Sequence, residues 1–310
     1  MKKIEKVSLI GIGAAGSFFA PRLYNWLEPG NFRVIADGER KQLLEKNGIT
    51  VNGIRYDFPI VTPKTKGDPA DLIIVATKST YLDQALKDIK NQVGEDTIIL
   101  SIQNGLDIEE QVAEIYGWEH VLYSYVRMSI TMINGHTEYN PSKGCIYFGE
   151  KKNDTYSDRV LAVKDLFDEC HIAYQINDDM IHGLWYKFLS NVGESAPSAL
   201  IGVPYGAYSV SEHLNAIRKA AMDEAIQIAN AKGVSFTDSE ISKLNKYLED
   251  MKYDYTSSML KDLDARRHTE IDSFAGSIVR FGEKLGIATP VNAVIYHAIK
   301  ALEEKNDRLI

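Results

Sequence analysis

The chain has 310 residues, 45% hydrophobic and 25% charged, the composition of an ordinary globular protein long enough for two domains with full cores. Its 43 acidic and 35 basic residues give a net charge of −8 with no basic block, which argues against nucleic acid and anionic membrane as partners. No apolar run approaches the ~20 residues of a membrane span.

The opening MKKIEKVSLIGIG runs straight into a motif, unlike a cleavable leader. The seven histidines and the two cysteines, Cys145 and Cys170, lack metal-ligand or redox spacing, so no metal site is expected. A reducing, cytoplasmic setting is the simple reading.

In chain order, VSLIGIG (7–13) reads as a buried strand entering a tight turn, and Ala14 to Leu27 as a helix. FRVIAD (32–37), DLIIVAT (71–77) and TIILSI (97–102) read as further strands, with helical periodicity over Leu82–Ile89 and Ile108–Tyr116. This alternation predicts an α/β fold with a Rossmann-type, doubly wound parallel sheet and right-handed crossovers.

From about residue 120 the pattern turns to β-hairpin material (121–133, 136–140 and 144–150) that extends the same sheet. Val160–Cys170 then reads as a helix and IAYQI (172–176) as one more strand. After Asn177 the chain reads almost entirely as helix. Thr237 and Glu240 make a capping box. Ile271, Phe274, Ile278, Phe281 and Leu285 mark one face of a long helix ended by Gly286. Thr289 then caps another that begins on Pro290. The domains are therefore expected over 1–177, binding a dinucleotide, and 178–310, all-helical.

Gly11-Ile12-Gly13-Ala14-Ala15-Gly16 is a G-x-G-x-x-G run directly after the first strand. Gly11 permits the tight turn, Gly13 lets the backbone approach a pyrophosphate, and Gly16 lets the helix pack on the strand. Asp37, 21 positions beyond Gly16, ends the second strand, where a carboxylate accepts both ribose hydroxyls of NAD and repels the 2′-phosphate of NADP. Arg40 and Lys41 are close enough in sequence to bind that phosphate instead, and Asp37 is equally suited to start the Asp37-Gly38 turn. The residues lean toward NAD.

Lys187 lies in the apolar segment LWYKFLSN, where desolvation favours proton donation near neutrality. Asn191, four residues on, shares its helix face. A snorkelling surface lysine is the plainer alternative. In YTSSMLKDLDARRHTEID (255–272), Ser258 and Thr269 read as helix caps, and QNG (103–105) as a turn. Tyr139 and Lys143 have the Tyr-x-x-x-Lys spacing of short-chain dehydrogenases, but Pro141 between them argues for a loop.

Together these segments resemble the ketopantoate reductase family (2-dehydropantoate 2-reductases). The resemblance rests on GIGAAG (11–16), TKS around Lys78, QNG (103–105), W-x-K-x-x-x-N (185–191), SSMLKDL (257–263), TEID (269–272) and GIATPVN (286–292). It implies reduction of a 2-oxo acid to a D-2-hydroxy acid, most simply 2-dehydropantoate to pantoate. Lys187 would polarise the carbonyl and supply the proton, and Glu270 would hydrogen-bond the substrate hydroxyl. Asn191 and Ser258 would bind substrate, the latter its carboxylate. Lys78 and Asn104 would lie beside the cofactor, NADP in the usual members.

Two positions where the family usually carries asparagines hold Ser195 and Tyr205, and Asp37 stands where it usually carries a basic residue. Those departures keep open an NAD-dependent, D-mandelate-type dehydrogenase acting on branched or aromatic 2-oxo acids. A non-catalytic dinucleotide sensor is a more distant alternative. A homodimer is expected through the apolar helical domain.

Overall fold

The computed structural model describes residues 3–310 apart from 129, 141 and 142. By its internal contacts the chain forms two units. The first runs through Gln103 and resumes over Asp107–Met180; the second holds Asn104–Leu106 and Ile181–Ile310. The division falls three residues after the position expected from the sequence, and Asn104–Leu106 count with the helical unit.

Among the described residues, twelve strands belong to the first unit: β1 (Val7–Ile10), β2 (Phe32–Ile35), β3 (Ile49–Val51), β4 (Ile54–Tyr56), β5 (Ile60–Val61), β6 (Ala70–Val75), β7 (Val93–Ser101), β8 (Val121–Arg127), β9 (Thr131–Ile133), β10 (His136–Glu138), β11 (Cys145–Gly149) and β12 (Tyr174–Gln175). Eight form one sheet in the order β12-β11-β8-β7-β6-β1-β2-β5. Its pairs are parallel except β8 with β11, where Cys145 faces Arg127 and Phe148 faces Ser124.

The helices of this unit are α1 (Gly16–Trp26), α2 (Gly38–Asn47), α3 (Leu82–Ile89), α4 (Ile108–Tyr116) and α5 (Asp158–Glu169). Alternation along the strands supplies two cores, as a parallel sheet covered on both faces requires. Leu72, Ile74 and Leu100 pack with the phenylalanines of α1, while Ile73, Val75 and Ile99 pack with Leu82, Leu86 and Val112.

Besides the two-residue edge strand β5, two features of this unit are not in the sequence reading. The first is α2, a polar helix with Leu44 as its buried residue and therefore with almost no apolar periodicity to detect. The second is a four-stranded sheet in the order β4-β3-β10-β9. The stretch 121–150 therefore extends the main sheet only through β8 and β11; β9 and β10 are a hairpin of the smaller one. Strands of three residues are too short to register a period of two. The turn between β3 and β4 does carry the signal Asn52-Gly53, both at positive φ.

The second unit is helical: α6 (Met180–Ser190), a π-helical segment Asn191–Ser195, α7 (Ala196–Ile201), α8 (Glu212–Ala231), α9 (Asp238–Glu249), α10 (Ser258–Asp264), α11 (Ala275–Leu285) and α12 (Pro290–Asn306). Its core joins Trp185, Phe188 and Leu189 with Ala225, Ile228, Phe274, Ile278 and Ile299. The capping box of Thr237 and Glu240 forms as expected, and Gly286 ends α11 in the left-handed conformation.

Three local expectations are corrected. The helix foreseen from Ile271 begins at Ala275, because Ile271–Ser273 is a 3-10 turn and Phe274 (φ −102°, ψ −102°) is not helical. Ser257, not Ser258, caps α10: its backbone is extended and its Oγ accepts from Leu260 N at 3.0 Å. Thr289 occupies the cap position of α12 without a side-chain bond. That task falls to Glu224 of α8, whose carboxylate accepts from Val291 N (2.8 Å) and Asn292 N (2.9 Å). Among the described residues, no helix is long and apolar enough to cross a membrane.

Candidate active site

In the first unit the fingerprint loop joins β1 to α1. Gly11 has φ +92°, and a Cβ there would stand 2.4 Å from Thr77 N and 2.5 Å from Ala76 C, so the turn is pressed against the end of β6. A Cβ on Gly16 would stand 2.2 Å from Gly11 O, which is why α1 can approach its own strand. A Cβ on Gly13 would meet nothing within 4 Å, so this glycine faces open space.

Ile12 is buried, with Ala14 and Ala15 completing the turn. No side chain among the described residues caps α1, and its first turn carries no acid, so the positive end of the helix remains uncompensated. This arrangement fits the pyrophosphate of a dinucleotide: a backbone cradle with room at Gly13 and helix N–H groups behind it.

Asp37 is exposed at the end of β2 and caps α2, its Oδ1 accepting from Gly38 N at 2.8 Å. The turn-starting role and an exposed carboxylate therefore coexist in one residue. Arg40 donates from Nη2 to Ile12 O at 2.8 Å, fastening α2 to the fingerprint loop, and burial lowers its pKa. Lys41 pairs with Glu45. Lys78 follows β6 and precedes a 3-10 turn. Its carbonyl accepts from Gln103 Nε2 at 3.0 Å, and the same amide donates to Thr77 Oγ1 at 2.7 Å, tying the ends of β6 and β7 together.

In the second unit, Lys187 and Glu270 meet through Asn104. Lys187 Nζ donates to Asn104 Oδ1 at 2.7 Å, and Asn104 Nδ2 donates to Glu270 Oε2 at 2.8 Å. Both faces of one amide are thus used, the oxygen toward the ammonium and the nitrogen toward the carboxylate. All three residues are half-buried. Lys187 lies on α6 with Asn191 one turn on, at the start of the π segment. Its hydrogen-bonded end distinguishes it from a lysine whose head reaches only into water.

Ser195 ends the π segment, and its Oγ is hydrogen-bonded to Tyr205 OH at 2.7 Å. The Tyr205 ring stacks on Tyr255 at 5.8 Å, and burial pushes its phenol well above the usual range. Ser258 is the exposed first residue of α10.

The structure therefore joins Lys187, Asn104 and Glu270 directly, and Ser195 with Tyr205 as a separate pair. The sequence reading did not find Gln103 as a strand tie or Asn104 as the bridge between lysine and glutamate. Their QNG context marked the segment, but a contact across 166 residues of chain has no local signature.

Tyr139 and Lys143 are both outside helices, and Tyr139 OH accepts from Arg22 Nη1 at 2.7 Å; Pro141 lies outside the described residues. Burial raises the thiols of Cys145 and Cys170 to about 11, so neither is a thiolate near neutrality. Among the described residues, no cluster of three or more His, Cys, Asp or Glu could hold a metal ion.

Comparison with known proteins gives this geometry a family. The model for "Ketopantoate reductase PanE/ApbA" matches residues 7–153, and that for its C-terminal part matches residues 179–303. The chain belongs to the ketopantoate reductase family. A 2-dehydropantoate 2-reductase of Pyrococcus horikoshii is 28% identical over 301 residues, 96% of this chain and 97% of its own.

Solved structures share the ketopantoate reductase fold. D-mandelate dehydrogenase, in a ternary structure with NADH and anilino(oxo)acetate, has a TM-score of 0.86 at 23% identity, covering 97% of this chain and 99% of its own. A ketopantoate reductase from Staphylococcus aureus, described as dimeric, has a TM-score of 0.82 at 19% identity over the same shares.

Proposed function

We propose that this chain is a nicotinamide-dependent oxidoreductase that reduces 2-dehydropantoate to pantoate, with Lys187 as proton donor and Glu270 as its partner. The observation that carries the reading is the hydrogen-bonded run Lys187–Asn104–Glu270 within a chain of the ketopantoate reductase family. The glycine loop at Gly11, Gly13 and Gly16 is the binding place for the dinucleotide. When bound, the reduced nicotinamide supplies a hydride to the carbonyl carbon.

The residues account for the rest of the reaction. An ammonium has three N–H donors, and one of Lys187's is directed to Asn104, which fixes the side chain that would meet the carbonyl oxygen of the substrate. As negative charge grows on that oxygen, Lys187 stabilises it and transfers a proton, so the ketone becomes a hydroxyl. Glu270, acceptor-only as a carboxylate, orients the Asn104 amide and takes the hydrogen bond of the new hydroxyl. Asn191 and Ser258 bind the remaining polar groups of the acid.

NADH is the proposed cofactor: the exposed Asp37 repels a 2′-phosphate, while Arg40 is engaged with Ile12 O and Lys41 with Glu45. A cytoplasmic homodimer is the proposed form, in line with the dimeric S. aureus relative.

One observation favours a second reading. Ser195 and Tyr205 stand where the family usually carries asparagines, and the Ser195 hydroxyl is bonded to Tyr205, whose ring stacks on Tyr255; the loss of those amides suits an apolar or aromatic 2-oxo acid better than one with a terminal hydroxyl. An assay of ketopantoate, 2-oxoisovalerate and phenylglyoxylate, each with NADH and NADPH, separates the two. The highest kcat/KM is expected with ketopantoate and NADH. A preference for phenylglyoxylate establishes the second reading, no turnover of any of the three overturns both, and a strong preference for NADPH overturns the cofactor assignment.

A further inference from the structure

Glu270 belongs to no long element. It precedes the 3-10 turn Ile271–Ser273 and follows an irregular stretch in which Arg266 has φ +52°. A carboxylate on such a segment needs something to fix it, since catalytic groups must be held to within about 0.5 Å of their productive positions.

The support comes from Glu303, near the end of α12 and 3% exposed. Its Oε1 accepts from Thr269 N and from Thr269 Oγ1, both at 2.7 Å. Thr269 Oγ1 in turn accepts from Ile271 N at 3.2 Å. The backbone on either side of Glu270 is thereby tied to one buried carboxylate, directly before it and through the threonine hydroxyl after it. Thr269 and Ile271 are themselves fully buried.

The other oxygen, Oε2, faces Lys300 Nζ at 3.0 Å and His268 Nδ1 at 3.5 Å. Lys300 also pairs with Asp272, and Asp272 accepts from Tyr296 OH at 2.9 Å. Burying a charge is costly unless it is paired and hydrogen-bonded. Glu303 meets that condition by halves: Oε1 is hydrogen-bonded to Thr269, next to Glu270, while Oε2 has no hydrogen-bond partner among the described residues and is balanced by the charge of Lys300 on its own helix.

We propose that Glu303 is a positioning residue for Glu270: it fixes the turn 268–271 so that the Glu270 carboxylate stays within hydrogen-bond reach of Asn104, and through it of Lys187. The inference rests on the reading of Lys187, Asn104 and Glu270 as the reacting cluster.

A double-mutant cycle in kcat tests it, with Glu303→Ala and Glu270→Ala made singly and together in the full-length protein, alongside thermal stability and dinucleotide affinity. Glu303→Ala is expected to lower kcat about 10- to 100-fold, the scale of a small misplacement of a catalytic group, with dinucleotide affinity unchanged. In the Glu270→Ala background the same change is expected to alter kcat less than about twofold, because no carboxylate remains to be positioned. Glu303→Gln, which keeps an acceptor oxygen for Thr269, is expected to retain most of the turnover.

Independent, multiplying losses, or an unchanged kcat in Glu303→Ala, overturn the proposal. If Glu303→Ala does not fold, Thr269→Val breaks the link to Ile271 N and takes its place in the cycle with the same expectations. An unchanged kcat in Glu270→Ala alone overturns the reading of the cluster itself, which is a different failure.

Discussion

At the scale of single residues, the cluster turns on the chemistry of one amide. Asn104 accepts from an ammonium and donates to a carboxylate, so it can hold Lys187 and Glu270 together without neutralising either. A second carboxylate at this position would repel Glu270, and a second lysine would repel Lys187. Lys187→Ala removes the proposed proton donor and is expected to lower kcat by about 100-fold or more, with dinucleotide affinity little changed; steady-state kinetics with fluorescence titration of NADH check both. Unchanged turnover excludes Lys187 as the donor.

At the scale of elements, two junctions decide whether the site exists. The first is the turn between β1 and α1. Gly11→Ala places a methyl 2.4 Å from Thr77 N at a positive φ, so the loop must move. The expected result is at least a tenfold weaker NADH dissociation constant and about 1–3 kcal/mol of lost stability, read by fluorescence titration and urea unfolding.

The second junction is the start of α12, the helix that carries Glu303. Its cap comes from another helix: Glu224 accepts from Val291 N, Asn292 N and Asn292 Nδ2, the last at 2.7 Å. Glu224→Ala leaves buried donors without that acceptor, and a loss of roughly 3 kcal/mol or more is expected. The loss should be read as an earlier urea transition. An unshifted transition would show that water or a neighbour replaces the carboxylate at no cost.

At the scale of the molecule, two units with their own cores divide the work: a sheet that presents a glycine loop, and a helical unit that assembles Lys187, Asn104 and Glu270. The helical unit exposes Ile201, Val210 and Val294. Singly exposed side chains of this kind do not by themselves mark an interface, so the proposed homodimer is tested in solution. Sedimentation velocity at micromolar concentration is expected to give twice the monomer mass, and a monomer at all accessible concentrations removes that part of the proposal.

The chain's own residues determined the sheet strands, the helices Leu82–Ile89 and Ile108–Tyr116, the capping box at Thr237 and the glycine loop. Each depends on neighbours within a few positions: periodicity, a cap three residues away, a glycine where φ must be positive. Only the tertiary structure decided the rest. The two hairpins of the second sheet join through β3 and β10, which pair across more than 80 residues, and Glu224 replaces Thr289 as a cap from 67 residues away. The π turn Asn191–Ser195 breaks the α period, so the place of Ser195 could not be counted from Lys187. The link from Lys187 through Asn104 to Glu270, and from there to Glu303, is made of contacts between residues far apart in the chain. Such contacts depend on how packed elements bring side chains together, and no local spacing encodes that.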